Sequence, residues 1–382
     1  MGLQTVISRL AGLPGFKQLR DRFVGPVDVL GVDVGNHAVK CAWIKGAAGD
    51  LSLKAWGHMP LDVKPDATPE QKKAQTVNLL KAFLIEKGVP LREAATSVSG
   101  NSVIVRYVKF PKLTRTELQS TLATEAEPFI PFDINEVQLG FHILADIVEE
   151  GQKKMETVLV AAKKDIVNAR LDVLQGAGLV PTIIDVDSFA VENALEPLRN
   201  AKENGAVLSL NIGHMVTNLS IIDKGVSRVV RDIFISGNSM TKAVMKQLQL
   251  DYSQAEEAKK KNAIIIDAAE KEKLLAAGNK EALGVSQALT TVVKDLVAEV
   301  HRSVDFYLSQ GPERSIARII LSGGTARVKN LDKHLAAEVK VPVQVLDPFA
   351  IFKNPPKDVP EEVRSSFGVV LGLALRRNRD WL

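Results

Sequence analysis

Leu30-Gly-Val-Asp-Val-Gly-Asn-His-Ala-Val-Lys40 and, much further along, Leu208-Ser-Leu-Asn-Ile-Gly-His-Met-Val-Thr-Asn218 repeat one pattern. In each, an apolar strand ends in an acid or amide (Asp33, Asn211), one apolar residue and a glycine (Gly35, Gly213). A second apolar strand then starts, Ala38 to Ile44 and Leu219 to Ile222. This is a hairpin, not the strand-to-helix turn of a P-loop. Glycine at such a turn lets backbone N–H groups come close to a phosphate, and a carboxylate at the strand end can hold a hydrated Mg²⁺. Two copies point to a duplicated α/β fold with a nucleotide clamped between its halves.

Length and composition set the frame for that reading. With 382 residues and 46% hydrophobic content, the chain can build one large core or two ordinary ones, and two lobes is the better expectation. The net charge of +4 comes from 49 basic and 45 acidic residues spread along the chain, which makes no case for nucleic acid. One cysteine, Cys41, excludes an intrachain disulfide and fits a reducing cytoplasm. The N-terminus lacks a signal-peptide core, and no uncharged run approaches the ~20 residues that span a bilayer. A soluble, unsecreted protein is expected.

Residues 1–26 read as an appendage: Leu3, Val6, Ile7 and Leu10 at helical spacing, a stop at Gly12-Leu-Pro-Gly15, then Lys17, Arg20 and Arg22. An apolar face of about three turns is too small for firm membrane attachment, so a contact with a partner or with the protein itself is favoured. The first lobe is expected over 27–100, 181–204 and 365–382, as three strands, a helix near 70–87 and further strands at 95–99 and 182–186. Residues 101–180 form an inserted α/β subdomain with a strand over 103–110, a helix over 114–127 and a long hairpin around Glu149–Lys153. The second lobe covers 205–364, helical at about 240–300. Its charged tract from Glu256 to Lys273 reads as a solvated face. Gly323-Gly324, after a strand, is a place where backbone can lie flat against a base or ribose.

The order of these parts (the hairpin with Asp33, Asp185 and Asp187 in the connecting segment, the hairpin with Gly213, then Leu321-Ser-Gly-Gly-Thr325) resembles the actin-like ATPase superfamily. Glu125-Ala-Glu-Pro-Phe-Ile-Pro-Phe132 in the insertion and the ending Leu371-Gly-Leu-Ala-Leu375 narrow the resemblance to the type IV pilus assembly PilM family, relatives of the division protein FtsA. It runs from about Val27 to Arg376. The resemblance implies ATP and Mg²⁺ as cofactors. It also implies a cytoplasmic protein held at the inner membrane through the N-terminal tail of a PilN-like partner, which would lie in a groove walled by helix 114–127 and strand 103–110. The nucleotide set it implies is Asp33 (also the metal contact), Gly35, Asn36, His37, Lys40, Asn211, Gly213, His214, Thr217, Gly323, Gly324 and Thr325. Self-association stays open.

Two departures matter. Asn36 and His37 stand where the family has small hydroxyl residues. Asn211 stands where the superfamily has an aspartate that helps to position the Mg²⁺ shell or the attacking water, and an amide carries no charge to replace it. Weak or absent hydrolysis follows, with Asp187 as the remaining candidate to polarise a water and Asp185 behind it. An active kinase or ATPase of the same fold and an FtsA-like filament former are the alternatives. Against the latter, the tail with Arg376, Arg377 and Arg379 is only a basic end.

Overall fold

The computed structural model describes residues 28–46, 49–62, 67–200 and 202–377; the helix expected over 3–10 and Arg379 lie outside them. The first lobe opens with β1 (Leu30–Val34), β2 (Ala38–Lys45), β3 (Ser52–Pro60), α1 (Pro69–Glu86) and β4 (Glu93–Val98). Helix α1 starts where it does because Thr68 and Gln71 form a reciprocal capping box and Pro69 occupies the first helical position, where its missing N–H has no consequence. Its Leu80 and Phe83 then pack against Leu30 and Val32.

The insertion contributes β5 (Val103–Pro111), α2 (Arg115–Ala126), β6 (Val137–Glu149), β7 (Gln152–Lys163) and α3 (Lys164–Gly176). Its sheet has the order β5-β7-β6. The two faces of β5 have different duties, because alternate residues point to opposite sides. Val108 and Phe110 pack with Leu118, Leu122 and Ala126 of α2, whereas Val105 packs with Val158 and Val186 toward the lobes. Helix α3 lies just before the boundary expected at residue 180. Its Val173 and Leu174 join Leu30, Val32, Leu80 and Phe83 of the first lobe, while Val167 packs with Ala162 and Val103 of the inserted sheet, so the helix bridges the two.

Then follow β8 (Val180–Val186) and α4 (Asp187–Leu195), and the second lobe with β9 (Ala206–Ile212), β10 (Thr217–Asp223), β11 (Val226–Ile233), α5 (Gly237–Leu248), α6 (Tyr252–Lys261), α7 (Ala268–Ala276), α8 (Lys280–Leu308), β12 (Ile316–Ser322), α9 (Leu331–Val339) and β13 (Val343–Val345). The sheets run β3-β2-β1-β4-β8 and β11-β10-β9-β12-β13. In both, the central strand pairs antiparallel with its hairpin partner and parallel with the next strand in the sheet. The same five-stranded sheet is thus built twice. Its parallel half is covered on both faces, which is why β9 and β12 read as nearly unbroken apolar runs.

The chain ends by returning to the first lobe through α10 (Glu361–Arg364) and α11 (Gly368–Ala374). Helix α11 crosses α4 at Gly372, where a methyl group would collide with the Ala190 carbonyl, and lies on β1 at Gly31, where one would meet the backbone N–H of Ala374 at 2.7 Å. The helices therefore touch backbone to backbone, and α4 is fixed at its crossing between the lobes.

Candidate nucleotide site

The two hairpin turns face each other across the cleft between the lobes. Gly35 and Gly213 do not have positive φ, so the turns do not need glycine for its conformational freedom. Their requirement is room: a Cβ would lie 2.8 Å from the Ala38 carbonyl at Gly35 and 2.7 Å from the Val216 carbonyl at Gly213. Just beyond, His37 and His214 meet with ring centroids 5.5 Å apart. Burial lowers the pKa of both, His214 to about 4, so near neutral pH the two rings face each other uncharged. His214 also lies 3.4 Å from the Tyr252 hydroxyl, which donates to Asn238 at 3.2 Å.

The strand-end residues differ between the copies. In the first, the Lys40 ammonium lies 2.6 Å from Oδ2 of Asp33, and the two side chains are 12% and 13% exposed. In the second, the Asn211 amide donates to Oδ1 of Asn218 at 2.8 Å and accepts from the Ser322 hydroxyl at 3.2 Å. Both pairs are direct cross-strand neighbours, Asp33 with Lys40 and Asn211 with Asn218. Asn218 passes the network on to Asp232 at 2.8 Å, and Asp232 accepts from the Gly100 N–H of the first lobe at 2.5 Å. Burial raises the Asp232 carboxyl to about 6.

Asp187 stands at the first position of α4 without capping it. Its carboxylate accepts from the Ser99 hydroxyl at 2.6 Å, and burial, then the charge of Asp33, raise its pKa. Two other sequence candidates turn out to be spent on structure. Asp185 is clamped by Arg376 at 2.7 Å and caps the Val186 N–H, which ties the end of the chain to β8. Thr217 is fully buried, its hydroxyl donating to the Ile235 carbonyl at 2.6 Å.

Of the glycines expected at the site, Gly323 is the one with positive φ, at +87°, and a methyl there would collide with the Ile212 carbonyl. This lets β12 turn flat across the end of β9, with Gly324 free of close neighbours. Thr325 then donates to the Gly213 carbonyl at 3.3 Å. That same carbonyl accepts from the Gly237 N–H at 3.0 Å, so the second turn is fastened to the start of α5.

The structure adds residues that the sequence did not yield. Lys259 was read as part of a solvated tract, yet it is 5% exposed; its ammonium donates to Thr241 at 2.9 Å and pairs with Glu256 at 2.6 Å. Burial lowers its pKa, with Glu256 opposing. A lysine buried this deeply must be paired, and a partner from a ligand would serve it equally. No periodicity marks it among Lys259, Lys260 and Lys261. Asn218 did leave a signal, because it lies seven residues after Asn211 as Lys40 lies seven after Asp33.

Among the described residues no cluster of three or more His, Cys, Asp or Glu can hold a metal by itself, and no helix is long and apolar enough to cross a membrane.

Two copies of this sheet with hairpin turns opposed across a cleft define the actin-like ATPase fold. Residues 31–378 match the family of the type IV pilus assembly protein PilM, and the chain belongs to that family. A solved PilM–PilN type IV pilus biogenesis complex is similar at 28% identity over 92% of this chain and 99% of that chain, with a TM-score of 0.76. The ethanolamine utilization protein EutJ from Carboxydothermus hydrogenoformans is similar at 15% identity over 92% of this chain and 90% of that one, with a TM-score of 0.50, which shows the fold alone.

Proposed function

We propose that this chain is an ATP-binding scaffold of type IV pilus assembly with little or no hydrolytic activity. On this reading it is cytoplasmic and held at the inner membrane by the N-terminal tail of a PilN-like protein. The observation that carries the nucleotide part is the asymmetry of the two hairpins, one charged and one neutral. The residues fit the cofactor: the Lys40 ammonium and the N–H groups of the Gly35–His37 turn suit phosphate oxygens, and Asp33 suits the water shell of Mg²⁺. Glu256 and Lys259 suit ribose hydroxyls, while the open backbone at Gly324 suits the base. When bound, ATP with Mg²⁺ supplies the charge that would draw Lys40 away from Asp33. Asp187 is placed to orient a water, but Asn211 brings no second carboxylate to that task.

The docking part is supported by the similarity to the PilM–PilN complex and by a cavity of about 760 Å³. Val105, Tyr107 and Lys109 of β5 line it on one side, Arg228 and Val230 of β11 on another, and Phe306 of α8 closes it. Strands β5 and β11 are both edges of their sheets, so an extended segment can add main-chain hydrogen bonds to either. Helix α2 is not a wall of this cavity, since its apolar residues are spent on the other face of the inserted sheet. Fluorescence anisotropy with a labelled N-terminal peptide of a PilN-like protein tests the assignment. Tyr107→Ala and Val230→Asp should each weaken binding tenfold or more, and unchanged affinity in both would remove the groove from the account.

A further inference from the structure

A second cavity, of about 490 Å³, lies between the lobes at the opposite ends of the same strands that carry the nucleotide turns. Val207 is near the start of β9, whose end carries Asn211, and Arg318 is near the start of β12, whose end is Ser322. The floor is apolar and shared: Leu195 and Leu198 from the first lobe, Val207, Ile222, Ile320 and Leu346 from the second. Its size is that of an ordinary small-molecule pocket, in which apolar walls give affinity and a few polar groups give selectivity. The acidic side chains of the lining are engaged. Arg199 holds Glu196 at 3.0 Å, Arg318 holds Glu203 at 2.6 Å, Arg364 holds Asp347 at 2.8 Å, and the Ser227 hydroxyl donates to Glu192 at 2.8 Å. Lys224 differs from them: it is exposed on the rim, and among the described residues its ammonium has no ion pair or hydrogen bond.

We propose that this cavity binds a small monocarboxylic acid with an apolar body, its carboxylate held by Lys224 and its body laid on the floor that the two lobes share. A two-residue turn carries the lysine: Asp223 pairs with Val226, and Lys224 and Gly225 between them have φ of +53° and +81°. This is the primed hairpin form, a tight turn matched to the twist of its strands. Gly225 has no room for a side chain, because a Cβ would lie 2.7 Å from Nη1 of Arg199, so the first lobe packs on the turn itself. Lys224 therefore stands on a fixed backbone beside the floor. Charge sets the class of ligand. One unpaired ammonium balances one negative charge, and the guanidinium forks of Arg199 and Arg318, which would suit a phosphate, are already given to carboxylates. Burial raises the Glu192 carboxyl to about 7, so near that pH it is only partly ionised and opposes an anionic ligand weakly. The cavity is separate from the nucleotide turns and from the groove between β5 and β11, and its assignment does not depend on what either holds.

The probe is decanoate at neutral pH, kept below the concentration at which it forms micelles, with decanol as the uncharged control. Calorimetry on the full-length chain should show saturable one-to-one binding of decanoate, and decanol should bind about tenfold more weakly or worse. Lys224→Gln changes an exposed side chain that holds no other group, so the fold should be unaffected. It should weaken decanoate about tenfold or more and leave decanol unchanged. Equal affinity for the two probes, or decanoate binding that Lys224→Gln does not alter, would overturn the proposal. Amide exchange locates the ligand: decanoate should slow residues 195–200 and 222–226. Slowing confined to 103–109 and 228–231 would assign it to the groove between β5 and β11 and overturn the proposal, and the absence of saturable binding would overturn it outright.

Discussion

The Lys40 ammonium lies 2.6 Å from the Asp33 carboxylate, and at the corresponding place in the second hairpin two amides, Asn211 and Asn218, take the place of the ion pair. On the proposed reading, the first turn would exchange a cation for a phosphate-bound metal, whereas the Asn211–Asn218 contact is a neutral hydrogen bond. Lys40→Ala tests the first half. Hydrogen bonds to charged groups contribute about 1.5–3 kcal/mol. Calorimetry with MgATP should therefore show affinity reduced roughly ten- to a hundredfold, and an unchanged affinity would place the phosphates elsewhere.

Asn211→Asp tests the second half. The new carboxylate cannot donate to Asn218, so the Asn218 amide must turn over and present its oxygen to Asp232, whose carboxyl already sits near 6 through burial. Leaving a buried group without its bond costs about 1–3 kcal/mol, so the thermal midpoint should fall. Phosphate release should rise above the wild-type level, with Asp187 orienting the water. A variant as stable as the wild type would mean that the amide relay is not formed.

Gly372→Ala addresses the scaffold rather than the site. A methyl there has no space against the Ala190 carbonyl, and α4 and α11 must separate to admit it. Overpacking of this kind costs about 3 kcal/mol. Denaturant unfolding should show that loss, whereas a neutral result would contradict the backbone-to-backbone crossing.

The pH dependence of stability combines two opposed sets of groups. Burial lowers His58 and His214 from 6.5 to about 4. The unfolded chain protonates these rings first, so their contribution is full above about pH 6.5 and is lost as pH falls toward 4. Burial raises Glu192 from 4.5 to about 7 and Asp232 from 3.8 to about 6. Here the unfolded chain ionises first, so the contribution is full below the unfolded value and is lost as pH rises to the folded one. Glu192→Gln removes one descending contribution. Its thermal midpoint should climb more steeply with pH between 4.5 and 7 than that of the wild type; parallel curves would contradict the assignment.

Much of this architecture was legible because local signals and tertiary structure agree. The duplicated hairpins announce themselves through Asp33, Gly35, Asn211 and Gly213, and helix α1 was expected near 70–87. What stayed hidden depends on contacts between distant segments. Nothing local separates buried Lys259 from exposed Lys260, or tells that Asp185 answers Arg376, which lies 191 positions further along the chain. Thr217 stood in the nucleotide set that the resemblance implies, but the strand pleat turns its hydroxyl toward the Ile235 carbonyl. The end of the insertion carries no sharp local signal because α3 follows β7 directly and packs on both sides, Val173 and Leu174 on the first lobe and Val167 on Ala162 of the inserted sheet.

The central claim is binding without turnover, and one experiment addresses it directly: titration of the full-length chain with MgATP, followed by phosphate release on the same sample. The account predicts saturable one-to-one binding with phosphate appearing no faster than in a protein-free control. Turnover at about 1 s⁻¹ or above, the range of ordinary enzymes, would contradict it, as would the absence of any binding.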